Sequence, residues 1–228
     1  MPRATDDTTR PNGGPVLRLK VRLLDIGPMI WRRLLVPAET SLRELHGILQ
    51  VAMGWAGLHL FQFHLRAVRY GSHELSASSP EATLKSFRLR PGSRFVYEYD
   101  LNAPWRHEVR VEPPLERERE EHHPLCLDGH GDCPAEGGGG PAGYPARQHD
   151  ALGGGAMGDL GIITEVLEEV LRTRTTAALD GPGTRRDFEA ALGRLRERGR
   201  LLPVPFSRRE VNDRLRRGEH RVLMHQQM

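Results

Sequence analysis

The sequence contains little cysteine and almost no lysine. Its 228 residues include two cysteines, which excludes a disulfide-stabilised scaffold and favours a reducing cytoplasm. Lysine occurs only at Lys20 and Lys85, so arginine supplies nearly all of the positive charge. Because alanine, glycine and proline are abundant as well, this bias indicates a GC-rich coding sequence more than selection for phosphate binding. A pI near 9.2 is therefore weak support for a nucleic-acid partner.

Long apolar runs and recognisable catalytic motifs are also missing. No stretch approaches about 18 consecutive apolar residues, and residues 1–14 lack the apolar segment of a secretory signal, so we expect a cytoplasmic protein without a membrane span. Gly-x-Ser-x-Gly is absent, and the glycines at 137–140 are not followed by the Lys-Ser/Thr of a phosphate loop. The paired carboxylates at 116–121 lie outside any predicted helix or strand. Catalysis is therefore disfavoured, and no small-molecule substrate is indicated.

The charges that are present fall into two opposed blocks. Overall, 33 basic and 30 acidic side chains leave a formal net charge of +3. Residues 112–136 contain eight acids and two arginines, whereas residues 172–228 contain fourteen arginines and seven acids. Such blocks are typical of solvated surfaces, or they pair with each other.

Hydrophobic patterning predicts one α+β domain in the first half. Strands are predicted, most of them from the alternation of apolar and polar residues, over 16–24, 30–36, 59–66, 94–100 and 107–112. Residues 42–53 instead have helical spacing, with a capping box at Ser41 and Glu44 and Gly54 at the C-terminal end. The order ββαβββ predicts an antiparallel or mixed sheet with one helix packed on it, similar to a β-grasp.

The pattern divides the chain into five segments. We expect a disordered leader at 1–15, the α+β core at 16–112, an irregular loop rich in glycine and proline at 113–158, a C-terminal helical segment at 159–217 and a frayed tail at 218–228. Helical spacing recurs over 160–171 and 184–198, and Ser207 and Glu210 form a second capping box.

Short motifs follow one another in a specific order. They are Gly27-Pro28, Ile30-Trp31-Arg32-Arg33, Leu42, Leu45-His46, Met53-Gly54-Trp55, His59-Leu60, Phe63, Tyr70-Gly71, Tyr97, Tyr99-Asp100, Trp105, His107-Glu108-Val109, Cys126-Leu127, Gly129, Cys133-Pro134, Glu136, Gly139-Gly140-Pro141, Gly143-Tyr144, Phe206, Val211-Asn212 and Leu215. In this order they resemble the plasmid pRiA4b ORF-3-like family, found on plasmids, in bacterial chromosomes and as passenger proteins of insertion sequences. The resemblance covers residues 16–144 and 201–216. It implies an intracellular α+β protein with no settled enzymatic activity.

Three features depart from the family pattern. The turn at 101–104 contains no carboxylate, although members typically have an acidic, glycine-containing turn there. Gly138 stands where members often carry a further cysteine, and the connector between Tyr144 and Leu201 is longer than usual. A site that depends on those carboxylates or on that thiol is therefore expected to be weakened or absent.

The cysteines and the histidines near them are candidate zinc ligands. Zinc prefers four thiolate or imidazole ligands in a tetrahedron. The candidates are His107, His122, His123, Cys126, His130 and Cys133. A bound zinc is expected to be structural and to pin the irregular loop. The alternatives are a solvated loop, since the two cysteines are further apart than in zinc knuckles, or a transient disulfide between them.

The remaining motif residues have structural interpretations. Core positions are favoured for Trp31 and Trp55, and an aromatic ligand surface that also includes Trp105 is the alternative. His46 and His59 are predicted to be buried and hydrogen-bonded, and the alternative for each is a ligand or a proton carrier.

Two adjacent arginines, Arg32 and Arg33, lie in the predicted strand 30–36. Strand alternation exposes only one of Arg32 and Arg33. The other needs a partner such as Glu44 or Asp100, in a structural salt bridge, or it forms an anion site.

Arginines of the last two predicted helices are candidate phosphate ligands. Those singled out are Arg185, Arg186, Arg194, Arg208 and Arg209. The alternative is that they form only the polar faces of amphipathic helices. A helix-turn-helix over 184–198 and 207–217 needs a tighter turn than the linker with Pro203 and Pro205 provides.

The sequence as a whole favours a non-catalytic binding or accessory protein associated with plasmids or mobile elements, acting through contact with protein or nucleic acid. The alternative is a zinc-dependent enzyme with a site near His107, Cys126 and Cys133. Neither the partner nor the oligomeric state is indicated.

Overall fold

The protein contains two compact units. A computed structural model describes residues 15–72, 76–113, 124–200 and 202–225. The first unit comprises Met1–Gly131 and Phe206–Met228, and the second comprises Asp132–Pro205. The first unit therefore extends beyond the predicted core at 16–112 and includes the end of the chain, Phe206–Met228. All but the last residue of the predicted leader at 1–15 lies outside the described residues.

The first unit is built on a seven-stranded sheet. Its strands are Val16–Leu23 (β1), Trp31–Pro37 (β2), Phe61–Leu65 (β3), Val68–Gly71 (β4), Arg94–Tyr99 (β5), Trp105–Glu112 (β6) and Leu125–His130 (β7). Their spatial order is β4-β3-β5-β6-β1-β2-β7, and each pair of neighbouring strands is antiparallel. The predicted α+β class with an antiparallel sheet is confirmed.

Six α-helices and two short 3₁₀ turns are described. The helices are Leu42–Met53 (α1), Gly140–Leu152 (α2), Gly154–Thr173 (α3), Pro182–Arg200 (α4), Arg208–Arg216 (α5) and Glu219–Leu223 (α6). The 3₁₀ turns are Leu84–Phe87 and Ala177–Leu179.

Helix α1 forms as its sequence predicts. The Ser41 hydroxyl accepts a hydrogen bond from the Glu44 amide at 3.1 Å, which satisfies one orphan donor of the first turn. Gly54 ends the helix at φ 82°, a left-handed conformation that favours glycine. Nearly every residue of α1 is buried, because the sheet covers one side and α5 and α6 lie against the other. At Gly47 a β-carbon would collide with the His220 carbonyl oxygen, so the close approach of α6 requires glycine.

Part of the range 113–158, predicted as an irregular loop, forms a strand and a helix in the structure. Strand β7 and helix α2 both lie within that range, and α6 lies within the predicted frayed tail. Helix α2 has low amphipathicity and an internal Pro145, which explains why periodicity missed it. Helices α3 and α4 contain the predicted helical segments and pack together. Among the described residues, no helix combines the length and apolar character needed to cross a bilayer.

Candidate functional site

The two faces of the sheet have different characters. One face is apolar and packs on α1, as shown by the hydrogen bond that Gln50 of the helix donates to the Tyr97 hydroxyl of β5 at 2.8 Å. The other, which we call the open face, carries half-buried and exposed polar side chains. Those on its four central strands include Arg94, Glu98, Arg106, Glu108, Arg110, Glu112, Arg18, Lys20, Arg22, Trp31 and Arg33.

Four cations line up across the open face. Arg94 of β5 pairs in register with Arg110 of β6, Arg110 pairs with Lys20 of β1, and Lys20 pairs with Arg33 of β2. We call these four residues the basic row. Neighbouring strands lie about 4.8 Å apart, so the row extends over about 14 Å. Like charges directly opposite each other destabilise a sheet, so the row is a candidate site for an anionic ligand.

Carboxylates form ion pairs at the ends of the basic row, and Glu112 also interacts electrostatically with Lys20 near its centre. Glu112 contacts the Nε atom of Arg33 at 2.7 Å, and Glu108 contacts Arg94 at 3.2 Å. Burial alone would raise the pKa of Glu112, but the hydrogen bond and charge of Arg33, with nearby cations, lower it overall. Glu112 is thus held in its charged form at the Arg33 end of the row.

The centre of the basic row is not neutralised in the same way. Within the described part of the chain, neither Lys20 nor Arg110 forms an ion pair with a carboxylate. Two depressions flank this centre. One, of about 330 Å³, is lined by Lys20, Arg22, Met29, Arg94, Glu108 and Arg110. The other, of about 650 Å³, includes Arg18, Arg33 and Arg110 in its lining.

Trp31 departs from its predicted core position. Its ring is half-buried and lies on the open face, with Lys20 Nζ 4.9 Å and the Arg33 guanidinium carbon 5.1 Å from the ring centre. Both contacts are cation–π interactions. Trp55 and Trp105, in contrast, are buried at 1% and 0% exposure. Of the three tryptophans, Trp31 is therefore the one available to a ligand.

The predicted zinc ligands lie in several parts of the chain. His107 is buried in the core of the first unit, Cys126 is buried on β7, and His130 is exposed at the end of that strand. Cys133 belongs to the second unit, where its backbone bridges to Val204. His122 and His123 lie outside the described residues. Among the residues described, no group of three or more His, Cys, Asp or Glu side chains is arranged to hold a metal ion.

Both thiols are expected to be unreactive in the native protein. Burial raises the pKa of Cys126 to about 11, partly offset by the charge of Arg32, and Cys133 is fully buried. Because the thiolate is the nucleophile, iodoacetamide at pH 8 should leave both cysteines unmodified over a time that fully modifies glutathione. Peptide mass mapping before and after unfolding in urea measures this. Rapid native modification of Cys126 would contradict the burial.

The arginines predicted to bind phosphate are mostly engaged within their own unit. Arg194, together with Arg198, binds Asp159, and these hydrogen bonds lower the pKa of Asp159 to about 2. Arg185 contacts the Leu179 carbonyl at 3.2 Å, and Arg208 contacts the Leu127 carbonyl at 3.3 Å. Arg186 and Arg209 are largely exposed, each near one aspartate. The five arginines are divided between the units. Arg185, Arg186 and Arg194 belong to the second unit, and Arg208 and Arg209 belong to the first.

Comparison with known proteins identifies the family. The family model for plasmid pRiA4b ORF-3-like proteins matches residues 15–151, which is more than half of the chain. The chain belongs to the plasmid pRiA4b ORF-3-like family. The resemblance drawn from the motifs is thereby confirmed.

Two relatives of this pRiA4b ORF-3-like protein illustrate the similarity. Uncharacterized protein y4hQ of Sinorhizobium fredii (strain NBRC 101917 / NGR234) is 37% identical over 135 residues, which cover 57% of this chain and 69% of that protein. The crystal structure of the protein of unknown function MM3350 from Methanosarcina mazei Go1 matches with a TM-score of 0.53 and 27% identity. That match covers 62% of this chain and 83% of the other.

Several motifs of the pRiA4b ORF-3-like protein secure strand β7. The Asn212 side chain accepts a hydrogen bond from the Cys126 amide at 2.7 Å and donates one to the Cys126 carbonyl at 2.9 Å. It thereby takes the place of a further strand along the edge of β7. A β-carbon at Gly129 would clash with the Phe206 ring, so glycine is needed for this packing. The motif residues Phe206 and Asn212 therefore close the first unit around β7.

Arg32, another residue of the pRiA4b ORF-3-like motifs, joins four parts of the first unit. It is 1% exposed, and its guanidinium donates to the carbonyls of Ala52, Trp31 and His130 at 2.9, 2.9 and 3.0 Å. The Phe206 ring lies 4.0 Å from the guanidinium carbon. These contacts differ from the predicted carboxylate partners.

Glu44 and Asp100, the predicted carboxylate partners of Arg32 or Arg33, lie next to histidines instead. Glu44 is 3.6 Å from His220, Asp100 is 3.8 Å from His59, and Arg33 pairs with Glu112 instead. His59 is half-buried, not fully buried as predicted, and its backbone amide donates to the Tyr99 hydroxyl at 3.1 Å.

Two histidines of the pRiA4b ORF-3-like protein, His46 of α1 and His107 of β6, are buried in the core of the first unit. His46 stacks on Phe61 with 3.9 Å between ring centres, and its Nδ1 atom lies 2.7 Å from the Tyr97 hydroxyl. Because Gln50 donates to that hydroxyl, the phenol proton is free to be donated to neutral His46. Burial lowers the pKa of His46 to about 3 and that of His107 to about 4. Both rings are therefore neutral core residues at physiological pH.

Proposed function

We propose that this protein is a non-catalytic accessory module that binds nucleic acid through the open face of its sheet. The observation that carries the proposal is the basic row, in which four cations lie directly opposite one another on adjacent strands. Two of its members, Lys20 and Arg110, have no carboxylate partner among the described residues. Phosphates supply negative charge opposite these two cations. The family's description as a plasmid reading frame supports a role in the biology of plasmids or mobile elements.

The open face is better suited to this role than the C-terminal arginines. Among the C-terminal arginines, the guanidinium groups of Arg185, Arg194 and Arg208 already contact protein oxygens. A phosphate must displace those contacts before it binds. At Lys20 and Arg110 no such contact with a carboxylate has to be broken, so phosphate binding relieves the repulsion between the two cations.

Lys20→Glu is expected to weaken nucleic-acid binding while leaving the fold intact. Glutamate at position 20 lies between Arg110 and Arg33, so two repulsive pairs become attractive, each worth about 0.2–1 kcal/mol. The lost attraction to Glu112 and the lost contact with the Trp31 ring offset part of this gain. The same change removes one phosphate contact and adds repulsion. The affinity for a 20-nucleotide DNA at 50 mM salt should fall about tenfold or more, and the slope of log K against log salt should fall by about one. Fluorescence anisotropy and thermal unfolding measure the two effects.

Arg186→Glu is the matched control, because it makes the same charge change on the exposed surface of α4. It should leave the affinity within about twofold. Equal losses in the two variants would show a general effect of net charge, and a protein that binds neither DNA nor RNA at 50 mM salt would overturn the proposal. Equal affinity for heparin and for DNA would reduce it to binding of any polyanion.

A further inference from the structure

Trp31 gives the open face a feature that phosphate binding alone does not use. Its half-buried ring lies beside the basic row and contacts Lys20 and Arg33, so the two cations that neighbour it are held near the aromatic surface. His130 of β7 is the register partner of Trp31 and is exposed, and Met29 next to β2 is 50% exposed. Trp31 and His130 are therefore neighbours across β2 and β7, and Met29 lines a depression of the open face together with Lys20.

The core does not require an aromatic ring at this position. Trp55 and Trp105 already fill the interior, where Trp55 stacks on Tyr99 with 5.1 Å between ring centres. Trp31 instead lies among charged side chains on the side of the sheet away from α1. An aromatic ring next to a line of cations matches the two components of single-strand recognition, namely a surface on which a base stacks and positive charges that follow the backbone.

Resting on the proposed function, we infer that the open face selects single-stranded nucleic acid, with a base stacked on Trp31 and the backbone held by the basic row. In a duplex the base faces are covered by neighbouring base pairs, so a duplex offers only phosphates to this surface. A single strand offers both phosphates and bases. The depression of about 330 Å³ lined by Lys20 and Met29 lies on the same face, beside the basic row.

Three DNA probes of equal length separate the contributions of bases and phosphates. They are a 20-nucleotide oligothymidylate, a 20-nucleotide abasic deoxyribose-phosphate strand and a 20-base-pair duplex. Fluorescence anisotropy should give an affinity for oligothymidylate about 5- to 150-fold higher than for the abasic strand, as expected for the stacking of one base. Trp31→Ala should abolish that difference, and Trp31→Phe should preserve most of it. The basic row predicts residual, salt-sensitive binding of the abasic strand in all three proteins.

Intrinsic fluorescence gives a second readout that a structural role of Trp31 would not affect. Since Trp55 and Trp105 are shielded in the core, quenching by oligothymidylate reports on Trp31. Wild type should be quenched, and Trp31→Phe should bind without quenching. Equal affinity for oligothymidylate and the abasic strand, with Lys20→Glu still impaired, would overturn the stacking inference and leave the proposed function standing. Binding to none of the three probes would overturn both.

Discussion

The protein is expected to lose about 4 kcal/mol of its free energy of unfolding between pH 7.5 and pH 5, because two buried histidines remain neutral in the folded state. Burial is the main reason that the pKa of His46 falls to about 3 and that of His107 to about 4. In the unfolded chain both titrate near pH 6.5. Protons therefore bind the unfolded chain more tightly, and protonation of His46 also removes the acceptor of the Tyr97 hydroxyl.

The direction of this pH dependence follows from the lowered pKa values of the two histidines. The stabilising contribution is fully present above pH 6.5 and is lost as the pH falls toward the folded values, by about 1.4 kcal/mol per pH unit for each histidine. Urea unfolding at pH 7.5, 6.5, 5.5 and 5.0 at constant ionic strength measures the slope. Carboxylates with lowered pKa values, such as Glu44 and Glu112, lose most of their contributions below about pH 4.5, so they add little to the loss in this range.

His46→Gln identifies the source of the acid sensitivity. Glutamine retains a polar group near Tyr97 but does not titrate, so the loss between pH 7.5 and 5 should be halved to about 2 kcal/mol. The variant will be less stable at pH 7.5, since stacking on Phe61 is lost, but the comparison concerns the slope. A stability independent of pH in wild type, or an unchanged slope in the variant, would exclude these histidines as the cause.

Sequence patterning predicted those parts of the fold that depend on neighbouring residues. Alternation identified β1, β5 and β6, and capping residues fixed both ends of α1, because these signals act within a few residues of each other. Helix α2 and strand β7 were missed. In α2, glycine and proline interrupt the apolar periodicity that would indicate a helix. Strand β7 is stabilised by Asn212 and Phe206, which are distant in the sequence, so the residues of β7 alone do not predict it.

The candidate site was largely beyond prediction for a related reason. Alternation placed Lys20 and Arg110 on polar sides of their strands, but their opposition depends on the register between β1 and β6, which are 80 or more residues apart in the sequence. The arginines of the C-terminal helices became candidate phosphate ligands because their charges are close together in the sequence. Closeness in sequence does not reveal that Arg194 is already bound to Asp159.

Arg32→Met is expected to destabilise the first unit by about 3–5 kcal/mol, although the adjacent Arg33→Met should cost about 1 kcal/mol or less. Arg32 satisfies three carbonyl oxygens at once, through one buried and two partly buried hydrogen bonds. The buried bond goes to the last turn of α1, where a cation also interacts favourably with the helix dipole. Methionine fills similar volume but leaves these acceptors without a donor. Urea unfolding at pH 7.5 compares the two variants on the same scale.

Arg33 is the matched control because it lies next to Arg32 on β2 but points to the opposite face, where its side chain is 22% exposed and paired with Glu112. Solvent and other cations readily replace that interaction, so its loss is small. Arg32→Lys distinguishes the loss of charge from the loss of geometry. A lysine ammonium lacks the planar fork that spans three carbonyls, so this variant should recover less than half of the lost stability. Equal destabilisation by Arg32→Met and Arg33→Met would show that the buried guanidinium does not join the strands, α1 and the C-terminal segment as its hydrogen bonds indicate.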